Sequence, residues 1–569
     1  MIRVEHGDRL VEVSGTAGDT VLEALAAEAA VSMAAPCGGR GKCGKCRVRV
    51  LDPPGGPEPS AECERFLSGD EIRAGIRLAC RCPAAAVRRI EILTDYTRAS
   101  VKGELPAFAE AASPPPEVAR AGGLSAAVDI GTTTIAAFLL DAATGEPLAV
   151  QSQMNRQSLY GADVLSRISY AEGGGLERLS SVVRAQLQAM LSDLCDRVGH
   201  RAAEVGTLVV AGNTTMLHLL AGADPGGIGR APFVPQFVDM QDYAARDLGI
   251  QLADAARLIM LPSVSAYVGA DLVADAIAAD LDRSAGAILL VDIGTNGELI
   301  LRHGGRQWAC STAAGPAFEG GTLEAGVGGI NGAVKTWNRR GSEFRFTTIG
   351  GAEPVGVCGS GLLELLATLL DDEVIDQTGR MRSAEELGAA GTGAPGTAAA
   401  GTAAAGNAAA DGTARAYAGR LTAGPRGEPA FLFAPPYMLT QKDVREVQLA
   451  KAAIAAGIDV LCREAGLTTA DLDTVVLTGG FGQHLDVESA IRIGILPPVE
   501  PERVDVLENG AGRGTVLALR QDGTMERMIR FREAVTYIEL SGHDYFGDRY
   551  IEHMTFPENR TAAIRGGNE

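Results

Sequence analysis

No stretch of the chain reaches 18 apolar residues without a charge, so no helical membrane span is expected. There is no long basic run either. Lysine and arginine number 51 against 71 aspartates and glutamates, a net charge of −20. An excess of that sign repels nucleic acid and anionic bilayers, and neither is expected as a main partner. No signal segment is expected either: Met1-Ile2-Arg3-Val4-Glu5-His6 alternates like a strand and holds no apolar core. Without a secretion signal, the ten cysteines read as metal ligands and buried thiols, not disulfides, and the expected compartment is the cytoplasm. At 569 residues the chain exceeds one hydrophobic core, and two to four domains are expected.

What is present begins with cysteine. Cys37, Cys43 and Cys46 fall within ten residues, and Cys80 in Arg77-Leu78-Ala79-Cys80 supplies a fourth. Four thiolates at this spacing suit a [2Fe–2S] cluster. Zinc is the rival, but zinc sites usually pair two short C-x2-C hairpins, and here the fourth cysteine stands alone. The intervening glycines let the backbone wrap closely and offer N–H groups to sulfur. Cys82 competes with Cys80 for the fourth position. Cys63 reads as incidental, and Cys195, Cys310 and Cys462 as core thiols. Arg40, Lys42, Lys45, Arg47 and Arg49 form a basic patch beside the cysteines, either solvated surface or a docking face.

Residues 2–13 read as a hairpin, Thr20–Ala30 as a helix capped by Thr20, and Cys46–Val50 as a strand. This order resembles the β-grasp [2Fe–2S] ferredoxins, with a C-x5-C spacing nearer the adrenodoxin-like branch than the plant-type C-x4-C. It assigns residues 1–97 to a ferredoxin-like domain. Residues 98–123, with Pro106 and Pro114-Pro115-Pro116, read as a linker that tethers this domain.

An internal repeat follows. Val128-Asp129-Ile130-Gly131-Thr132-Thr133 recurs as Val291-Asp292-Ile293-Gly294-Thr295-Asn296, each closing one apolar strand and leading into another. Leu208–Asn213 and Val475–Gly480 form a second repeated pair, a strand running into a glycine loop. A duplicated α/β unit with a cleft between halves is the reading. It gives a first half at 124–285 and a second at 286–569. Residues 388–413, an Ala/Gly/Thr run with too few large apolar residues for a core, read as a disordered insertion. Tight glycine turns free backbone N–H groups for phosphate, and threonine hydroxyls add donors. Asp129 and Asp292 then stand near phosphate and hold Mg²⁺ or its waters.

The repeat resembles the two phosphate motifs and the adenosine motif of the actin, Hsp70 and sugar-kinase superfamily. Further motifs narrow it: Gly161-Ala162-Asp163-Val164, Gly212-Asn213-Thr214-Thr215-Met216, Ala314–Gly320, Val357-Cys358-Gly359-Ser360-Gly361 and Thr440–Arg445. With the cysteine domain, they resemble the reductive activators of corrinoid proteins. The fold implied is multidomain, α/β and α+β: a β-grasp ferredoxin domain, a linker and a duplicated actin-like (ribonuclease-H-like) ATPase domain. A second activating branch carries a C-terminal cysteine-rich domain, whereas this chain has no cysteine after Cys462.

The resemblance implies an ATP-dependent activator that passes an electron from its cluster to the inactive Co(II) form of a corrinoid protein, regenerating Co(I) for methyl transfer. The implied cofactors are a [2Fe–2S] cluster on Cys37, Cys43, Cys46 and Cys80, ATP and Mg²⁺. Gly131, Thr132, Thr133, Gly294, Thr295 and Asn296 would hold phosphate, and Gly479, Gly480 and Phe481 would face adenosine. Asp129, Asp292 and Glu298 are the catalytic candidates, with Asp271 a further residue for orienting water. Besides the corrinoid protein, partners would include an upstream electron donor and a second copy of the chain. Two alternatives remain open: a redox-sensing ATPase switch, or a small-molecule kinase with an appended ferredoxin. Ser360 reads as a helix N-cap, with contact to phosphate or to the partner's cobalt as the alternative, His218 as a packed side chain, and Trp308 and Trp337 as filler. Gln441, Lys442, Asp443 and Arg445 read as a capped helix start.

Overall fold

The computed structural model describes residues 1–6, 9–15, 18–26, 33, 39, 41, 44–93, 108, 111–390, 416–479 and 485–558. Two compact units emerge: Met1–Asp282 with Gly510–Ala534, and Arg283–Asn509 with Val535–Glu569.

The first unit opens with a five-stranded sheet of β1 (Ile2–His6), β2 (Arg9–Val13), β3 (Arg47–Asp52), β4 (Ile76–Leu78) and β5 (Arg89–Ile92), in the order β2-β1-β5-β3-β4. β1 and β2 form the expected hairpin, and β5 returns parallel to β1. Ile2, Val4, Val48, Val50, Ile90 and Ile92 are buried, the period-2 pattern of a sheet with one covered face. The helix Val21–Ala26 covers it and packs Val21, Leu22 and Leu25 inward. Thr20 caps that helix by accepting the Glu23 N–H. This is the β-grasp arrangement that the cysteine spacing and element order had suggested.

Part of the expected linker is built structure. Pro116–Ala121 is a helix with Val118 buried, and Ser113 pairs with Gln521 in a parallel bridge. Of the rest, residues 98–107, 109 and 110 lie outside the described residues.

A six-stranded sheet follows in the same unit: β6 (Leu124–Ile130), β7 (Thr134–Asp141), β8 (Pro147–Met154), β9 (Val205–Gly212), β10 (Gln241–Ala244) and β11 (Arg257–Met260), ordered β10-β11-β9-β6-β7-β8. β6 is buried along nearly its whole length, which explains why its sequence is a continuous apolar run. The helix Gly510–Arg520 lies on this sheet and on the helix Ala270–Ala278, so the chain returns here late.

The second unit repeats the plan. Its main sheet has β12 (Ile288–Ile293), β13 (Gly297–His303) and β14 (Arg306–Thr312). Two three-stranded sheets interrupt it: β15 (Ala333–Arg340), β16 (Glu343–Thr348) and β17 (Gly356–Val357), then β18 (Leu421–Ala423), β19 (Pro429–Ala434) and β20 (Tyr437–Thr440). β21 (Thr474–Gly479), β22 (Val504–Val506) and β23 (Val535–Tyr537) complete the main sheet, ordered β22-β21-β12-β13-β14-β23. The small sheets share an aromatic core in which Trp337, Phe344, Tyr417 and Phe431 meet with ring centroids 4.9–6.1 Å apart. Trp308 and Trp337 are both buried, as expected of filler. Of the insertion at 388–413, residues 391–413 lie outside the described residues.

The duplication is visible in register. In the first unit Asp129 lies opposite Ala211, and Ile130 opposite Gly212. In the second, Asp292 lies opposite Thr478, and Ile293 opposite Gly479. Each Asp-Ile-Gly-Thr turn therefore emerges beside the glycine that ends the neighbouring parallel strand.

Candidate functional site

Cys46 and Cys80 are brought together by strand pairing. β3 and β4 are antiparallel with Arg47 opposite Leu78, and the Ala79 N–H donates to the Cys46 carbonyl at 2.7 Å. This puts Cys46 Sγ 3.3 Å from Cys80 Sγ, both buried and neither in a disulfide. Two thiolates at about 2.3 Å from one tetrahedral metal stand roughly 3.8 Å apart, so the pair fits joint ligation with little movement. Cys37 and Cys43 lie outside the described residues. Gly44 shows why this loop is glycine-rich: its φ is 68°, and a Cβ there would stand 2.8 Å from the Phe66 side chain.

The sulfur that stands against Cys46 is that of Cys80, not Cys82. Burial pushes the Cys82 thiol pKa up to about 12, and the neighbouring Cys63 adds to the shift. Cys63 is itself a core thiol that accepts the Leu78 N–H at 3.5 Å. Cys195, Cys310 and Cys462 are buried as expected. The basic patch is partly neutralised at home. Arg47 pairs with Glu71 at 2.5 Å and donates to the Gly44 carbonyl at 3.0 Å, and Arg49 pairs with Glu91 at 2.6 Å. Arg47 therefore braces the cysteine loop. Arg40 and Lys42 lie outside the described residues.

The first phosphate-type loop sits between β6 and β7. Gly131 N–H closes the turn on the Thr134 carbonyl at 2.9 Å, and a Cβ on Gly131 would stand 2.7 Å from that oxygen. Three side chains the sequence reading gave no role hold it from outside. Asn155 Nδ2 donates to the Gly131 carbonyl at 2.9 Å, while its backbone N–H donates to Thr133 O at 2.8 Å. Asn213 Nδ2 donates to Thr132 Oγ1 at 2.9 Å. Arg167, fully buried, donates to the Thr132 carbonyl at 2.5 Å and the Gly161 carbonyl at 2.9 Å. A buried guanidinium beneath a loop lends it positive potential, which suits an anion. Asp129 lies half-buried at the end of β6.

The second loop is built differently. Gly294 N–H donates to the Asn296 carbonyl at 2.9 Å, and Thr295 Oγ1 donates to Glu319 Oε1 and Oε2 at 3.1 and 3.0 Å. Asp292 and Glu298 are directly opposed across β12 and β13, on one face. Like charges so placed repel, and a cation relieves them. In the first unit the position opposite Asp129 is Ala136, so the second loop is the more acidic. A Cβ on Gly479, whose φ is 101°, would stand 2.6 Å from the Ile293 carbonyl and closer still to Asp292 Oδ1. Gly480 and Phe481 lie outside the described residues.

Asp271 sits in the first turn of Ala270–Ala278, beside the first loop: a Cβ on the preceding Gly269 would touch both its carboxylate and Asn213 Cα. Burial pushes its pKa up to about 6, although the Leu272 N–H donates to it at 2.9 Å.

Other motif residues make hydrogen bonds away from the two loops. Ser360 is not an N-cap: Cys358 occupies that position, and Ser360 Oγ donates to the Lys335 carbonyl at 3.0 Å. Asp443 closes a capping box with Thr440 and also accepts the Glu324 N–H at 2.9 Å. Gln441 and Arg445 donate to the Gly379 and Thr378 carbonyls. His218 is buried against Phe237; Nδ1 donates to the Thr214 carbonyl at 2.7 Å and Nε2 accepts the Gln236 N–H at 3.0 Å, so it is neutral.

Comparison with known proteins gives a consistent assignment. Residues 4–85 match the 2Fe-2S iron-sulfur cluster binding domain family, residues 124–284 the RACo middle region, and residues 286–412 and 434–565 the C-terminal domain of RACo, the ASKHA domain. The corrinoid activation enzyme RamQ of Eubacterium limosum is 31% identical over 435 residues, 76% of this chain and 70% of that protein. The Co(II) methylated amine-specific corrinoid protein reductase of Methanosarcina barkeri is 25% identical over 463 residues, 76% of each chain. A solved reductive activator for corrinoid, iron-sulfur protein superposes with a TM-score of 0.67 at 25% identity, covering 98% of this chain and 99% of that one. The chain belongs to the family of reductive activators of corrinoid proteins, joining a 2Fe-2S domain to an ASKHA domain.

Proposed function

We propose that this protein restores a corrinoid protein to its active state by ATP-dependent one-electron reduction, Co(II) becoming Co(I), and that Cys37, Cys43, Cys46 and Cys80 hold the [2Fe–2S] cluster concerned. When bound, the cluster supplies the electron at low potential, near −400 mV in plant-type ferredoxins. Every ~59 mV uphill costs a one-electron transfer about 1.4 kcal/mol, an amount that nucleotide binding and hydrolysis can offset. The observation that carries this reading is the matched register of two Asp-Ile-Gly-Thr turns in a chain that also brings Cys46 against Cys80.

The two loops divide the work. Gly131, Thr132 and Thr133, backed by Arg167, bind phosphate oxygens. Gly294, Thr295 and Asn296 bind phosphate in the second half. Asp292, with Glu298 beside it and Glu319 orienting Thr295, holds hydrated Mg²⁺, and Asp129 serves from the first half. Gly479, Gly480 and Phe481 face the adenosine. Asp271 orients the attacking water, since a carboxylate with a pKa near 6 is a competent base at neutral pH. Reduced thiolates and a reduced cobalt substrate suit the cytoplasm; among the described residues no helix is long and apolar enough to cross a membrane. An upstream electron donor reloads the cluster, and a homodimer is the proposed assembly.

The test is steady-state Co(I) absorbance after mixing the cluster-loaded protein, a reductant, Mg·ATP and a Co(II) corrinoid protein. Reduction that needs hydrolysable ATP supports the proposal. Equal rates without ATP overturn it, and redox-dependent ATP hydrolysis with no Co(I) favours the redox-sensing switch.

A further inference from the structure

The 3₁₀ turn Arg156–Leu159 touches both functional regions of the first unit. Its inner end is part of the phosphate-loop brace. Asn155, which holds Gly131 and Thr133, also accepts the Gln157 N–H at 3.0 Å through Oδ1. Gln157 is fully buried; its Oε1 accepts from Arg167 at 3.4 Å, and its Nε2 donates to the Leu179 carbonyl at 3.0 Å. Asn155, Gln157 and Arg167 thus form one buried polar network with the carbonyls of Gly131 and Thr132. Such a network is stiff, because moving one member leaves a buried polar group unpaired.

Its outer end reaches the cluster domain. The turn packs against the helix Val21–Ala26, and Leu159 joins the hydrophobic core of that domain. The flanking Tyr160 is held by Tyr170, 5.1 Å away between ring centroids, and by Arg178, whose Nε donates to its hydroxyl at 2.9 Å. Burial and Tyr160 raise the Tyr170 phenol's pKa, and Glu23 of the cluster-domain helix adds to it, which places that carboxylate within electrostatic reach. The helix itself leans on the cysteine loop. The Val21 N–H donates to the Cys82 carbonyl at 2.8 Å. A Cβ on Gly39 would stand 3.3 Å from Leu22 and 3.8 Å from Cys80 Cβ.

We infer that the Arg156–Leu159 turn is the seat of the cluster domain and that it couples the two functions: nucleotide at the first loop and the redox state of the cluster bias one another through it. The inference rests on the nucleotide reading of the Gly131–Thr133 loop. Linkage makes the effect reciprocal, so the factor by which reduction changes nucleotide affinity equals the factor by which nucleotide shifts the cluster's reduction equilibrium. Leu159 is the residue to change, since it touches the cluster domain and makes no bond to the phosphate loop.

The experiment is calorimetric titration of the full-length, cluster-loaded protein with Mg·ADP, in the oxidised and dithionite-reduced states, alongside a spectroscopic redox titration with and without Mg·ADP. The expected result is a Kd ratio of at least about fivefold between the redox states. The midpoint should shift by the matching amount, about 59 mV for a tenfold ratio. Leu159→Glu should bring the ratio to about one, leaving the oxidised-state Kd and the cluster spectrum unchanged. Leu159→Ala, which adds no buried charge, should reduce the ratio part-way and serves if the first variant does not fold. Tight binding with equal Kd in both states overturns this inference alone, as does an undiminished ratio in the Leu159 variants. No nucleotide binding in either state overturns it together with the function on which it rests.

Discussion

Gly479→Ala adds one methyl group at the point where β21 ends beside Asp292. At φ 101° the native backbone is one that L side chains rarely adopt, and forcing alanine there costs about 1–2 kcal/mol. The methyl would also stand 2.6 Å from the Ile293 carbonyl, nearer still to Asp292 Oδ1, where ordinary contact begins at 3.4 Å. Something must open by about 1 Å. The Ile293 carbonyl belongs to the backbone of paired strands whereas the carboxylate ends a side chain, so it is Asp292 that shifts from its proposed place at the cation and phosphates. A misplacement of that size costs about 100-fold in rate. ATP hydrolysis should therefore fall about two orders of magnitude and Mg·ATP affinity at least tenfold. The midpoint of thermal unfolding should drop by only some 2–8 °C, and the cluster spectrum should not change. Gly212→Ala is the matched control: the three atoms nearest its methyl all belong to Ile130, the carbonyl oxygen at 2.7 Å. It should lose stability to a similar degree with a smaller loss of hydrolysis. Wild-type hydrolysis in Gly479→Ala would refute the placement of Asp292 at the reacting phosphates.

Four further outcomes are expected. Cys80→Ser should abolish the iron–sulfur absorbance and Cys82→Ser should preserve it, as read in the visible spectrum of the purified variants. Arg167→Met removes the buried cation under the first loop and should weaken Mg·ATP binding by about 10–100-fold in calorimetry, on the order of 1.5–3 kcal/mol for a charged hydrogen bond. In its proposed role Asp271 orients water only when ionised, so hydrolysis should fall as pH drops through about 6, and Asp271→Asn should lose about 100-fold at neutral pH together with that limb. Burial lowers the pKa of Lys451 to about 8, below its unfolded value, so the unfolded state binds the extra proton and stability from this group rises between about pH 8 and 10. In Lys451→Met that rise in the urea midpoint should disappear.

Much of this was legible before the fold was known, because the signals were local. An apolar strand ending in Asp-Ile-Gly-Thr, repeated at Asp129 and Asp292, states both the strand and its turn. The Cys46–Cys80 contact followed from spacing. What stayed hidden depends on long-range packing. Asn155, Arg167 and Glu319 are single polar residues without periodicity, and only the fold brings them under the loops. Gly510–Ala534 returns to the first unit although nothing in its composition distinguishes it from its neighbours. Ser360 sits in a glycine loop before a helix, the pattern of an N-cap, yet the helix starts two residues earlier than that would require, with Cys358 as its N-cap, and the Ser360 hydroxyl turns to Lys335. The arginines beside the cysteines read as an open patch because Glu71 and Glu91, which pair with Arg47 and Arg49, are distant in sequence.

The most direct measurement is a single turnover followed by electron paramagnetic resonance. Pre-reduced protein, freed of reductant, is mixed with one equivalent of Co(II) corrinoid protein, with and without Mg·ATP. Loss of one reduced-cluster signal for each Co(II) signal lost, in the presence of ATP only, is the predicted result. Loss of the Co(II) signal while the cluster signal persists, or the same loss without ATP, would contradict the account.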